Sequence, residues 1–495
     1  MENDIKVICK EGVPAVALGF ADQINFARNT GLIDGVPNFR WVDVPRAGSP
    51  EERVASFIDA IPAALIDPLT DQEKEAGLYS PPPPPRIIFE GTLDDAQEFF
   101  QKTMPISNCG NCPIATMTDG LPIIIPTEEK VSEMMTGTSH PAEETVALQL
   151  ATSATRATSQ AGSPITYAGA YSTTVEKVAV VAVMAGCKPE YLPAVLAVAT
   201  SRGASTSCPG TSGASSNCFV VNGPFAKEVG MNARQQAFDV GNPPNMTISR
   251  SAALMTVNFG QCITGLVRTD SGNPFGCWTF AEDEEALPPG WETRGEEAYY
   301  YVDGERVYYT RDESVITKVG IHEGATVQEY APSSFRGLIS DGYGGMARRM
   351  GVEGVPGPHN FLEYVMPIYI NASPNGLLSS RVLIMHPNMA KSLYDYGFKT
   401  KMAVYEWIAE TYTVSAELVR NSGWYDFGRS GGERTHSDTG LTWNDLAAQQ
   451  PDYQVQAFGT SVTSNCIIVA IDNADEMCWT LFGSRGSTYP IDPWR

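Results

Sequence analysis

The sequence predicts an α/β protein, with an N-terminal unit on an open, mainly parallel sheet and a larger α/β domain with long helices. Three observations carry this. Short apolar runs alternate with amphipathic ones over residues 5–75, and two long apolar helical segments lie between residues 141 and 201. A strand–proline–helix pattern also occurs twice, in "CFVVNGPFAKEVGM" and "RVLIMHPNMAKSLYDYGF", which reads as a duplicated unit. The domain break is expected at 140/141, giving a first domain of residues 1–140 and a second of residues 141–495.

Taken in order, "IKVIC" and "FRWVDVPR" read as strands, and "GFADQINFARNTG" and "SPEERVASFIDAI" as helices. Ser49 is placed to cap the second helix, with Pro50 at its first position and acids in its first turn. Five prolines, residues 81–85, form a stiff extended spacer. "RIIFEG" reads as a strand, then "TLDDAQEFFQKT" as a helix capped by Thr92. "LPIIIP" follows as a strand, and "TEEKVSEMMTG" as a capped helix.

The middle is helical, in "PAEETVALQLATSATRATS" and "TTVEKVAVVAVMAGCKPEYLPAVLAVATS". The second breaks at Gly186, where a helix end favours glycine, and restarts at Pro189. A polar Ser/Thr/Gly loop holding Ser205, Ser207, Cys208, Thr211 and Ser212 follows; its backbone amides and hydroxyls could hold a small anion. The two copies of the repeated pattern match lysines Lys227 and Lys391 and closing glycines Gly230 and Gly397. Between them, "EEAYYYVDGERVYYTRD" is a tyrosine-rich hairpin turning at Asp303 and Gly304.

Composition narrows the functional classes. The chain has 495 residues, 43% hydrophobic and 18% charged, which is the make-up of a folded protein. With 34 basic against 57 acidic side chains its net charge is −23, a surface that repels nucleic acid and anionic membranes. The opening "MENDIKVICKEG" has no basic region followed by an apolar one, and no apolar run reaches bilayer length. A cytoplasmic protein is therefore expected, with no nucleic-acid or membrane partner.

The ten cysteines are scattered, and Cys109 and Cys112 in "SNCGNCPIATMTDG" are the close pair. A cysteine at a strand–helix junction faces unpaired N–H groups whose partial positive charge favours the thiolate. Here Gly110 would give freedom, Pro113 would open a helix and Gly120 would close it. Cys109 is then the nucleophile and Cys112 the resolving thiol; inert buried thiols are the competing reading. No second CxxC completes a four-cysteine zinc site. His140 and His386 each precede a proline at an element boundary, and His386 ends a strand, where ligands are met in open α/β sheets. Each is a candidate acid/base, against the plainer role of a locally bonded histidine. His322 and Glu323 lack the second histidine of a zincin helix, and no phosphate loop or GxSxG elbow is present.

The stretches "CGNC", "TDGLPIIIPTEEKV", "VEKVAVVAVMAGCKPEYLPAVLA", "FVVNGP" and "FAEDEE" together resemble the UGSC family, named for a selenocysteine-or-cysteine, Gly, Ser, Cys motif. The resemblance covers residues 109–285, and "AVMAGCKPEYLP" is its most specific part. It implies that Cys109 stands where a highly nucleophilic selenocysteine can stand. Asn111 departs from the serine of the family motif.

Two enzyme readings and one binding reading follow. The first is a thiol enzyme performing reductive cleavage or thiol transfer on a small molecule, with Cys109, Cys112, His140 and His386 as catalytic residues. The second is a metal-dependent lyase or hydratase holding one zinc, copper or iron ion through Cys109 and Cys112, with Cys187 or His140 as the further candidate ligand. The third is a non-catalytic binding protein whose thiols are structural. No organic cofactor is identified, and the expected partners are a small-molecule substrate and further copies of the chain.

Overall fold

Helix starts are decided within four residues, and three of them form as the sequence requires in the computed structural model of the chain. Ser49 accepts from the Glu52 N–H and Glu52 reaches back to the Ser49 N–H, a complete capping box for helix Pro50–Phe57. Thr92 caps Leu93–Phe100 by accepting from the Asp95 N–H, and Thr127 caps Glu128–Met135 by accepting from the Lys130 N–H, without the reciprocal bond. The structure describes residues 14–19, 21, 24, 38–45, 48–71, 73, 86–106, 111–146, 173–201, 217–259, 277–321, 328–329, 381–411, 413–421, 435–436, 438–456, 465–470 and 478–495. Helices and strands in mixed sheets make it an α/β protein. Among the described residues no helix is long and apolar enough to cross a membrane.

The chain divides into two compact units, Met1–Ser215 with Thr247–Cys277 and Ile491–Arg495, and Ser216–Met246 with Trp278–Pro490. The expected break at 140/141 falls inside the first. In that unit β1 (Ala17–Gly19) pairs parallel with β2 (Trp41–Asp43). Gly19 is required there, because a Cβ would stand 2.2 Å from the Trp41 ring. β3 (Thr103–Ile106) and β4 (Cys112–Ala115) form an antiparallel hairpin. Helix Val175–Ala185 ends at Gly186, left-handed at φ 89°, with Cys187 N–H on Ala182 O and Gly186 N–H on Val183 O. A 3₁₀ turn from Pro189 leads into helix Leu192–Thr200, whose first eight residues are buried.

Two expected strands are absent. "RIIFEG" has no partner among the described residues, and Ile87 and Ile88 stay exposed. "LPIIIP" carries prolines at both ends of its isoleucines, which removes ladder donors; instead the Ile124 N–H lies 3.4 Å from Met184 O and Ile123 is buried. In "PAEETVALQLATSATRATS", residues 141–146 are not helical and Thr145 bridges to Thr174; residues 147–159 lie outside the described residues, as do "IKVIC", most of "GFADQINFARNTG" and residues 81–85.

The second unit is built on one large sheet. β5 (Asn217–Asn222), β6 (Cys277–Ala281), β9 (Val315–Ile321), β10 (Gln328–Glu329), β11 (Arg381–Met385), β14 (Cys466–Val469) and β15 (Cys478–Pro490) lie in the order β14-β11-β15-β9-β5-β6, with β10 on β15. The sheet is mixed: β11 runs parallel to β14, but β15 is antiparallel to β11, β9 and β10, and β9 to β5. β7 (Tyr299–Val302) and β8 (Glu305–Tyr308) form the tyrosine hairpin, turning at Asp303 (φ 51°) and Gly304 (φ 86°). β12 (Thr413–Ser415) pairs with β13 (Gln454–Gln456).

Both repeated segments adopt strand–proline–helix: β5 leads into Pro224–Glu228, and β11 into Pro387–Tyr396. Each strand lies second from an edge of the sheet. One core cluster draws Phe280 from β6 and Cys466 and Ile468 from β14, with Cys218, Val220, Val319, Val382 and Ile384 from the strands between. The Asp283 N–H donates to Val469 O at 2.8 Å. A flat sheet would hold its edge strands far apart, so this one curls until they meet.

Candidate functional site

Cys112 opens β4 of the β3–β4 hairpin. Ile106 is paired with Cys112 and Pro105 with Pro113, so two residues without an N–H face each other and the ladder is short. Asn111 is left-handed at φ 64°, which asparagine tolerates better than most side chains. Cys112 is exposed and outside any disulfide. The expected helix from Pro113 is not formed, because residues 112–115 are taken into the strand opposite Thr103–Ile106. Among the described residues, Cys112 thus opens a strand and not a helix. Gly120, at φ 86°, closes a turn instead of a helix, with its N–H on Thr118 Oγ1. Arg250 holds the next stretch through Asp119 (2.8 Å), and Asn258 through Met117 O (3.1 Å). Cys109 lies in residues 107–110, outside the described residues, so its distances to His140, Cys187, Cys208 and His386 do too.

Of the other thiols whose side chains are described, Cys218 and Cys466 are buried and Cys187 is partly buried. Cys187 Sγ lies 3.3 Å from Ser251 Oγ, and burial pushes its pKa up to about 11. A thiol must lose its proton to attack or to bind a metal, and burial opposes that here. Cys218 and Cys466 are part of the second unit's core. Cys9, Cys208 and Cys262 are outside the described residues, as are the side chains of Cys277 and Cys478, along with Ser205, Ser207, Thr211, Ser212 and His322. Among the described residues no group of three or more His, Cys, Asp or Glu side chains is placed to hold a metal ion.

His140 is held on both sides. Nδ1 is 2.9 Å from Glu144 Oε2, Nε2 is 2.5 Å from Pro493 O, and the ring lies 4.8 Å from that of Trp494. These contacts raise its pKa, the Pro493 carbonyl most and Glu144 next. Both ring nitrogens are thus engaged by groups of the first unit. His386, in the second unit, directly follows β11, is 3% exposed, and accepts from the Ala390 N–H through its carbonyl. The structure thus places Cys112, His140 and Cys187 in the first unit and His386 in the second.

A buried ionic cluster in the second unit has little trace in the sequence. Glu282 follows β6, and its side chain and that of Lys401 are fully buried, 3.0 Å apart. Glu282 Oε1 also accepts from the Val469 N–H (3.2 Å), and Oε2 from Asn222 Nδ2 (2.8 Å) and the Arg294 N–H (2.6 Å). Lys401 donates further to Ile467 O, and Tyr405 Oη joins the Ile467 N–H to Glu297. Four donors on one carboxylate replace the water it gave up. The cluster ties the end of β6 to β14. Glu282 lies in "FAEDEE", a stretch that carries part of the resemblance but does not show which of its acids is buried, and nothing in the sequence marks Lys401 as buried.

No family model, curated protein or solved structure matches the chain.

Proposed function

We propose that the protein is a cysteine-dependent enzyme acting on a small molecule by reductive cleavage or thiol transfer, with Cys109 as nucleophile and Cys112 as resolving thiol. The observation that supports this is the contrast in access: Cys112 is exposed on a hairpin, while Cys187 is only partly exposed and Cys218 and Cys466 are buried. The resemblance to the UGSC family adds the nucleophile's position. In the first step Cys109 Sγ attacks atom X of a substrate X–Y, forming S–X as X–Y breaks, and Y leaves with a proton. In the second, Cys112 Sγ attacks Cys109 Sγ, and X leaves with the S–X electron pair and takes a proton from solvent. The resulting disulfide is reduced by an external dithiol. This chemistry suits a reducing, cytoplasmic setting and a homo-oligomeric enzyme, whose motif belongs to an N-terminal sheet unit and whose larger domain carries the repeated strand–proline–helix pattern. Neither His140 nor His386 is given the acid/base role, since His140 is engaged at both nitrogens and His386 is buried.

The test is alkylation of the native protein at neutral pH with peptide mapping, followed by mild oxidation. Cys109 and Cys112 should label at least about a hundredfold faster than Cys187, whose thiolate fraction burial suppresses. Oxidation should join the two in a disulfide that a dithiol reverses. Labelling of Cys109 no faster than Cys187 in metal-free protein would end the thiol reading.

One observation favours a second reading, a metal-dependent lyase or hydratase: the strand at Cys112 leaves that thiol without helix activation, whereas a bound cation would itself hold the thiolate. Metal analysis of untagged protein should then find about one equivalent of zinc, copper or iron per chain.

A further inference from the structure

Residues Ile491–Arg495 belong to the first unit, and the segment Thr138–Glu144 holds them there. Thr138 Oγ1 donates to Trp494 O at 2.7 Å and Ser139 Oγ to Arg495 O at 2.5 Å. These two hydroxyl contacts do not depend on pH near neutrality. The third contact does. His140 stands between Glu144 Oε2 and Pro493 O, a carboxylate and a carbonyl, and both of them can only accept. A neutral imidazole has one N–H. It can serve one of these oxygens and must turn a lone pair toward the other. The imidazolium alone serves both.

We propose that His140 is a proton-operated clasp, which in its charged form fastens Ile491–Arg495 to the first unit and releases its grip on Pro493 as pH rises. The role is distinct from the thiol chemistry proposed above and does not rest on it. The raised pKa of His140 has the direction this geometry requires. The surrounding charges leave Glu144 as the group that acts on the ring. Asp492 is paired with Arg495, Glu176 with Arg86, and Lys188 with Glu190, while helix Leu192–Thr200 carries no charged residue. Glu143 is exposed and makes no contact with the ring. Trp494 supplies a readout, since its ring packs on the imidazole and an imidazolium quenches indole fluorescence.

The sign follows from linkage. A histidine whose folded pKa is raised stabilises the docked segment fully below its unfolded value, about 6.5, and the contribution is lost as pH rises through the folded value. The experiment uses the full chain. Hydrogen-exchange protection of the Trp494 and Arg495 amides, corrected for intrinsic rates, is measured from pH 6 to 8.5, with Trp494 fluorescence taken as wild type minus W494F. Protection should fall severalfold, up to about fivefold, across this range while Trp494 brightens. In H140Q, whose side chain does not titrate, protection should be low at pH 6 and unchanged at pH 8.5. E144Q, which removes the carboxylate but leaves the imidazole, should shift the release to lower pH, and it serves if H140Q does not fold. Wild-type protection independent of pH, or a wild-type profile retained in H140Q or E144Q, would overturn the proposal.

Discussion

Glu282 with Lys401 and His140 with Glu144 are both hydrogen-bonded ion pairs at about 3 Å, yet they differ in what surrounds them. The first is fully buried, and every oxygen of its carboxylate is met by at least two donors. The second keeps 24% and 36% of its side chains exposed and rests on two acceptors that share one imidazole. A buried charge persists only when its hydrogen bonds are complete, so such a pair acts as a structural fastening. A pair at the surface can exchange its partner for water, so its strength follows proton concentration and salt.

Breaking the buried pair should have the largest effect. Lys401→Met leaves Glu282 charged and without its cation, and should cost about 3–5 kcal/mol of unfolding free energy by denaturant titration. The double variant E282Q/K401M removes both charges but leaves the donors from Asn222, Arg294 and Val469, so it should recover part of the loss. Full recovery would show that those donors contribute nothing. Loss no greater than that of a surface lysine would show that water reaches the cluster.

The clasp should give a smaller effect with a pH signature. The stability advantage of wild type over H140Q should be present at pH 6, at most about 1 kcal/mol given the exposure of the pair, and should shrink as pH rises toward 8.5. A difference that grows with pH would reverse the sign and contradict an imidazolium.

Arg86 provides the lower limit. It bonds Glu128 and Glu176 but is 59% exposed, so Arg86→Ala should leave the melting temperature unchanged at physiological salt. A clear fall would mean that networks at this surface are stronger than their exposure implies.

Local features were legible in the sequence. Ser49, Thr92 and Thr127 cap their helices, Gly186 ends one and Pro189 starts the next turn, and Asp303 with Gly304 turns the tyrosine hairpin. Each depends on contacts a few residues apart. The hairpin also stands on cross-strand pairs that its register predicts, Tyr299 against Tyr308 and Arg306 over the Tyr299 ring. The short apolar runs were not legible, since "RIIFEG" and "LPIIIP" have strand composition but a strand exists only when a partner supplies its ladder. The same limit governs the candidate site. Pro113 fits the first position of a helix or an extended strand equally well, and Met104, Pro105 and Ile106 across the hairpin decided for the strand.

By itself, then, the sequence determined caps, turns, the strand–proline–helix repeats and the close spacing of Cys109 and Cys112. Tertiary structure decided which groups lose water. Lys401 lies 119 positions from Glu282, and their burial and pairing depend on contacts that no local stretch of sequence contains. His140 lies 353 positions from Pro493, and reads as a free acid/base until the two segments meet. The physical reason is the same in both cases: a side chain's charge state and reach depend on the oxygen and nitrogen atoms that replace its water, and those come from elsewhere in the chain.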